Sequence, residues 1–403
     1  MSQPFVLGVN YWPRRKAMYW WSDFDLDEVQ SEFEVIAGLG LNVVRLFLLW
    51  DDWQPTPAAV SDTCLRHFER VCDAAAGLGL GLDVTFFTGH MSGPNWAPGW
   101  LLGGPPLPFV YQLVSGGQVV HSGYRSYFTD AEARAAQRLQ LQTVVSAFRD
   151  HPAIWMWNLG NEPDLFAIAP DRATGRAWVD EMTALIRAND PRHPVTTGLH
   201  VASLGTHQAL RVDDTFTSGD VAVMHAYPMY TPWARQPLDP DFVPYTCALT
   251  SALCGKPTLM EEFGGCTAAP GQDSYVWEWN AYGQPRAQFM ASEQDMAGYL
   301  EAVLPKLVEV GATGALLWCF ADYHESLWHK PPCSESRHER FFGLVRPDGS
   351  LKPHAEALRA FAASKPVVQP AQRTLALDIT PDEYYADPGH HYQRLYRVFL
   401  NEG

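Results

Sequence analysis

Residues 154–166 read IWMWNLGNEPDLF. The first part is an apolar, aromatic run with the length and composition of a buried strand. It breaks at Gly160 into Asn161, Glu162, Pro163 and Asp164, so a core strand ends by placing an amide and a carboxylate at its tip. The fold depends on whether that unit recurs. Seven further runs share its character: 5–12, 42–50, 81–89, 193–200, 221–227, 257–264 and 314–321. Helical periodicity fills 27–40, 63–79, 130–149, 173–189 and 292–311, with a weaker pattern near 242–254 and a last helix at 353–363. Only the interval between the fifth and sixth strands is short and helix-poor.

Near-continuous apolar strands separated by helices demand a parallel sheet covered on both faces. An open doubly wound sheet usually stops near about six strands and carries a Gly-rich loop after the first. Here the first strand runs into NYWPRRKAMYWW (10–21), which cannot cradle a phosphate. Eight units therefore predict a closed (β/α)8 TIM barrel over residues 1–364. The GLGL repeats at 38–41 and 77–82 read as helix stops. Residues 90–129 and 322–350 form long loops after strands three and eight, on the face where barrel active sites lie, and read as binding loops or lids. Residues 365–403 read as a small C-terminal β extension, with a strand pair around 374–386 and 391–403. It would pack on its own barrel or at the interface of a homo-oligomer.

The 403 residues are 47% hydrophobic and 18% charged, which argues against disorder. The 15 Trp, 16 Tyr and 20 Phe also suit a groove that stacks sugar rings. A net charge of -16 without a Lys/Arg cluster disfavours nucleic acid and anionic membranes as partners. MSQPFVLGVNYW lacks the pattern of a signal peptide, and no apolar run is long enough to span a bilayer. The seven Cys are scattered and form no CxxC pair, which suggests reduced thiols and a cytoplasmic location.

A barrel brings remote strand ends to one mouth. Arg45 lies on strand two, His90 after strand three, Asn161 and Glu162 at the end of strand four, and His225 and Tyr227 on strand six. Glu261 and Glu262 lie on strand seven and Trp318 on strand eight. Glycosidic cleavage requires two carboxyls with separate tasks, and strands four and seven supply them from opposite sides. A Glu at a strand end can also serve as a helix cap or ion-pair partner; the convergence of so many polar tips weighs against that reading. Strand alternation points Glu261 and Glu262 in opposite directions, and periodicity does not choose between them.

The pairing of WNLGNEP (157–163) with LMEEFGG (259–265) resembles the retaining glycoside hydrolases of clan A, most closely family 5, the cellulase and mannanase family. The likeness spans roughly residues 5–363 and includes GLVRPDGSLKP (343–353). It implies Glu162 as acid/base and Glu262 as nucleophile. It further implies that Arg45 and Tyr227 hold Glu262, Asn161 meets the 2-hydroxyl, His225 sits by the acid/base, His90 meets hydroxyls, and Trp318 lies under the sugar. GVNYWPR (8–14) and VRLFLLWDDWQP (44–55) look like members acting on β-mannosides. Trp96, Trp100 and Trp328 on the long loops are candidates for closing one end of the cleft. The expected activity is exo-β-mannosidase action on short β-linked oligosaccharides, without cofactor or metal. The alternatives are an endo-β-1,4-mannanase, a β-glucanase or a β-glucosidase. A non-catalytic carbohydrate-binding barrel would have lost a carboxylate, and a metal-dependent barrel enzyme would show ligand spacing that is absent here.

Overall fold

The computed structural model describes residues 3–104 and 111–401. Eight parallel strands follow the order of the apolar runs: β1 (Val6–Asn10), β2 (Val43–Leu49), β3 (Gly81–Thr88), β4 (Ile154–Asn161), β5 (Val195–Gly198), β6 (Ala222–His225), β7 (Thr258–Phe263) and β8 (Gly314–Leu317). The sheet order is β5-β4-β3-β2-β1-β8-β7-β6. It closes between β5 and β6, where His225 N donates to Leu199 O (2.9 Å) and Val201 N to His225 O (3.1 Å). All seven residues of β2 are buried, as a strand covered on both faces requires.

The barrel helices are α1 (Leu26–Gly38), α2 (Asp62–Gly77), α3 (Ala131–Phe148), α4 (Arg172–Asn189), α5 (Val212–Ser218), α6 (Phe242–Cys254), α7 (Glu293–Glu309) and α8 (Pro353–Ala363). Asp25, Ser61, Asp130, Asp171 and Ser292 accept backbone N–H groups at the starts of α1, α2, α3, α4 and α7, satisfying donors that a helix start leaves unpaired. The helix-poor interval between β5 and β6 holds the seven-residue α5. No helix among the described residues is long and apolar enough to cross a membrane.

Two bulges position the mouth. From Met260 to Glu262 β7 advances two residues while β6 advances one, from Met224 to His225. From Met260 to Phe263 it advances three while β8 advances two, from Ala315 to Leu317. The tip of β4 behaves alike: Asn158 to Asn161 opposes Thr196 to Gly198 on β5. One extra residue bends each strand end and re-aims its side chains.

Three insertions rise above this face. The segment after β3 carries a small sheet of Asn95–Trp96, Leu113–Ser115 and Gln118–Val120. The segment after β8 carries short 3-10 turns at Glu325–Leu327 and Arg337–Phe341. The third, after β7, is an antiparallel hairpin of Tyr275–Ala281 and Gln284–Met290, which sequence reading passed over. This hairpin is the antiparallel appendage of the fold.

The tail corrects the expected C-terminal β extension. Among the described residues, 374–386 and 391–401 do not pair as strands, and residues 402–403 of the expected pair lie outside the described residues; Pro381–Ala386 and Pro388–Phe399 form α9 and α10. The Tyr-rich composition suggested strands, but the local signals are helical. Thr380 and Glu383 make a capping box before Pro381, and Asp387 caps the helix that Pro388 begins. Tyr392, Leu395, Tyr396 and Phe399 then form one buried helical face. The tail packs on its own barrel: Tyr384 donates to Leu204 O (2.7 Å), Tyr385 to Ser203 O (3.0 Å) and Tyr396 to Asp239 (2.5 Å).

Candidate active site

Glu162 ends β4 in the left-handed region (φ 48°, ψ 52°), a conformation a non-glycine residue rarely holds without support. Its N–H donates to Gly198 O (2.8 Å), and its carbonyl accepts from Leu165 N (2.8 Å) and Phe166 N (3.0 Å) of the turn that Pro163 starts. Buried Asp164 braces the turn by accepting from Ser203 Oγ (2.8 Å) and His200 N (3.2 Å). The Glu162 carboxyl is therefore fixed by backbone on both sides.

The β7 bulge resolves the paired glutamates, since both side chains are buried on the inner side of the barrel. Glu262 faces the cavity, where it accepts from Arg45 Nη1 (2.5 Å) and Tyr227 Oη (2.9 Å). Glu261 lies beneath it and accepts from Asn158 Nδ2 (3.0 Å), with Arg45 Nη2 3.4 Å away. Despite its burial, the Arg45 charge and the His225 hydrogen bond hold the Glu261 carboxyl below its ordinary range. Gly198 is required beside this network: a Cβ there would sit 2.7 Å from Arg45 Nη2 and 2.9 Å from Glu261 Oε2.

Arg45 is the hub, fully buried. It also donates to Asn10 Oδ1 (3.1 Å), Thr85 Oγ1 (3.1 Å) and Asn161 Oδ1 (2.9 Å), so its guanidinium is oriented from several strands at once. Asn161 Nδ2 donates to His90 O (2.7 Å). His225 bridges the carboxyls, with Nδ1 2.9 Å from Glu162 Oε1 and Nε2 2.9 Å from Glu261 Oε2. Burial alone would discharge this imidazole; the Glu262 charge and the hydrogen bonds to Glu162 and Glu261 outweigh it and raise its pKa to about 10. His90 behaves oppositely, because burial lowers it to about 4. Its Nδ1 is bound to Asn95 (2.7 Å), and its Nε2 points toward Glu162 Oε2 at 3.8 Å.

Glu162 itself is raised to about 7, first by burial and further by the Glu262 charge, against the opposing His225 hydrogen bond. One oxygen each of Glu162 and Glu262 and a nitrogen of His225 lie within 4.8 Å of one another. This trio is the potential metal site among the described residues. The donor chemistry opposes a cation there: both His225 nitrogens are engaged by carboxylates, an imidazolium has no lone pair to offer, and Arg45 already neutralises Glu262.

The mouth is a cavity of about 430 Å³, lined by Glu162, Glu262, Asn161, His90, Tyr227 and Trp318 among others. Its volume lies toward the small end of small-molecule sites, ~300–1,000 Å³. His225 and Arg45 support from below. Three expected residues lie elsewhere. Trp96 is buried and donates to Met91 O (3.2 Å), Trp100 donates to Gln54 O (2.7 Å) and Trp328 to Tyr323 O (2.9 Å). Each braces an insertion from behind, since its indole N–H is used to pin loop backbone. The cavity is instead walled by Trp279, Tyr282 and Arg286 of the hairpin, Tyr230 after β6, and Ser336, His338 and Glu339 after β8. The wall is interlocked, with Trp279 Nε1 donating to Glu335 O (2.7 Å) and Tyr282 Oη 3.0 Å from Ser336 Oγ. Sequence reading missed this set, although alternating residues flanking Tyr282-Gly283, a turn at positive φ (55° and 75°), carry a hairpin signal.

The family model described as "GH family 5 beta-mannosidase-like" matches residues 125–322. Mannan endo-1,4-beta-mannosidase 4 of Oryza sativa subsp. japonica is 28% identical over 276 residues, 59% of this chain and 55% of its own length. The solved exo-beta-1,4-mannosidase Op5Man5 from Opitutaceae bacterium strain TAV5 is 25% identical, with a TM-score of 0.72 over 90% of this chain and 60% of that one. This chain thus spans little more than half the length of either relative. A GH5_18 structure from Streptomyces cattleya in complex with GlcNAc shares the fold at 21% identity, with a TM-score of 0.79 over 99% of this chain and 91% of that one.

Proposed function

We propose that this chain, which is similar over residues 125–322 to the family 5 beta-mannosidase-like enzymes and resembles a solved exo-beta-1,4-mannosidase, is a retaining β-glycosidase, exo-acting on short β-mannosides. The observation that carries the reading is the pair of facing carboxyls, with oxygens within 4.8 Å, at the floor of a walled cavity. Retaining enzymes hold their carboxyls about 5–5.5 Å apart and inverting ones about 6.5–9.5 Å, so the spacing supports double displacement.

Glu262 is suited to attack. Arg45 and Tyr227 hold its carboxylate in place, and its bond to the anomeric carbon forms as the glycosidic C–O bond breaks. Glu162, held protonated by burial, gives its proton to the departing oxygen. It then takes a proton from the water that attacks the glycosyl-enzyme, and Glu262 leaves as carboxylate. His225 donates to Glu162 once that carboxyl is ionised, which stabilises the base form after the first transfer. Trp318 offers a flat apolar face to the sugar.

The interlocked insertions support removal of one terminal residue, because an internal stretch of polymer needs a groove open at both ends. Endo action is the second reading, favoured by the name of the rice relative. A panel of 4-nitrophenyl β-mannoside, β-glucoside and mannohexaose separates the cases. The expected result is preference for the mannoside, with mannose the sole early product from the hexaose. Early mannobiose and mannotriose would overturn exo action, and preference for the glucoside would overturn the sugar assignment.

A further inference from the structure

Beyond Glu162 and Glu262, the cavity holds a further buried carboxyl, Glu339, beside the half-buried Glu335. Glu339, on the segment after β8, is 8% exposed and lines the same space as Glu162 and Glu262. Tyr230 Oη donates to its Oε1 (3.3 Å), and His338 Nε2 lies 3.4 Å from the same oxygen and 2.9 Å from Tyr230 Oη. Both contacts fall on Oε1. The other neighbour is the buried Ser92 hydroxyl, which closes no hydrogen bond of regular geometry. A buried, cavity-lining carboxyl whose regular hydrogen bonds fall on one oxygen marks a place where a polar group of a ligand fits.

Resting on the glycosidase reading above, we propose that Glu339 is a specificity-determining residue that binds hydroxyls of the sugar undergoing attack, on the side of the ring away from its anomeric carbon. Glu162 and Glu262 must flank that carbon, so a wall group in the same small cavity meets the C3, C4 or C6 hydroxyls. In a 1,4-linked chain the C4 hydroxyl is free only at the terminal residue. A carboxyl placed against these hydroxyls therefore selects unsubstituted chain ends. Burial, and beyond it the charges of Glu162 and Glu262, push the Glu339 carboxyl up to about 8, against the Tyr230 hydrogen bond. Near neutral pH it can accept from one sugar hydroxyl and donate to the next.

The test is kcat/KM for 4-nitrophenyl β-mannoside and its 3-, 4- and 6-deoxy analogues, measured on the wild type, Glu339→Ala and Glu339→Gln. The wild type should lose roughly 10- to 100-fold on at least one deoxy analogue. Glu339→Ala should lose a similar factor on the parent and under ~3-fold more on that analogue; Glu339→Gln should keep the discrimination. A merely structural role would lower all four rates together. Equal deoxy penalties in Glu339→Ala and wild type overturn the proposal. Should Glu339→Ala fail to fold, Glu339→Asp, which withdraws the carboxyl by one methylene, carries the same comparison. The deoxy β-glucoside series runs in parallel: cleavage of glucosides alone overturns the mannoside reading while Glu339 is still judged on that series. Cleavage of neither overturns both.

Discussion

At the scale of single residues, the chemistry rests on how two adjacent glutamates are separated. Glu262 meets the cavity with Arg45 and Tyr227 on its two oxygens, whereas Glu261 is locked under the floor by Asn158, His225 and Arg45. Glu262→Ala should cut kcat/KM by at least about 10³-fold, and added azide should partly restore turnover as the α-glycosyl azide. Glu261→Ala strips a partner from a buried arginine, so it should lower Tm, with activity insensitive to azide. Azide rescue of the Glu261 variant instead would exchange the two roles. The pH dependence has a defined sign. Glu162 must be protonated to act as acid and its pKa is raised to about 7, so kcat/KM should fall as pH rises through about 7. Glu162→Gln assayed with a good leaving group should lack that limb. The two catalytic candidates were legible because each ends an apolar strand with a motif. Glu339 was not, because RHERFF (337–342) shows neither periodicity nor motif and gains meaning only beside Ser92 and Tyr230.

At the scale of elements, the hairpin Tyr275–Ala281 and Gln284–Met290 decides whether the mouth is a pocket or a cleft. It leans on the β8 segment through Trp279 and the Tyr282 N–H, which donates to Glu335 Oε2 (2.6 Å). Replacing 275–290 by a short Gly-Ser turn should open one end while leaving the barrel intact. Chromatography of mannohexaose digests should then show mannobiose or longer early products, with aryl mannoside kcat/KM reduced by less than about 10-fold; unchanged release of mannose alone would place the barrier elsewhere. The bulges also belong to this scale. Period-2 alternation sends Glu261 and Glu262 to opposite faces, and one extra residue in β7, seen against both β6 and β8, brings both inward. Nothing in TLMEEF announces that residue.

Across the whole molecule, the tail fastens the barrel on the side where its sheet closes. The strands at the β5–β6 seam are four residues each, and α9 and α10 cover the segments that follow or flank them. Tyr384 and Tyr385 bind Leu204 O and Ser203 O, and Tyr392 stacks on Tyr245 of α6 at 5.6 Å. Leu395 is 1% exposed on the buried face of α10. Leu395→Ala should destabilise the protein by about 2–5 kcal/mol, read as a lowered denaturation midpoint, with kcat/KM unchanged where the protein is folded. A midpoint within error of the wild type would mean that the tail does not share the barrel's folding unit.

The sequence by itself determined the eight strand–helix units, their closure into a barrel and the convergence of Arg45, Asn161, Glu162, His225, Tyr227 and Glu262 on one face. These follow from hydrophobic periodicity and chain order, which are local or topological properties. Tertiary structure alone decided that Glu261 turns inward beneath Glu262 instead of away from it, that the helical tail docks on its own barrel, and that Trp279, Tyr230 and Glu339 form the wall while Trp96, Trp100 and Trp328 brace it. The physical reason is common to all three. A bulge, a docked amphipathic helix and an interlocked loop are each stabilised by partners far away in the chain, and no local pattern encodes those partners.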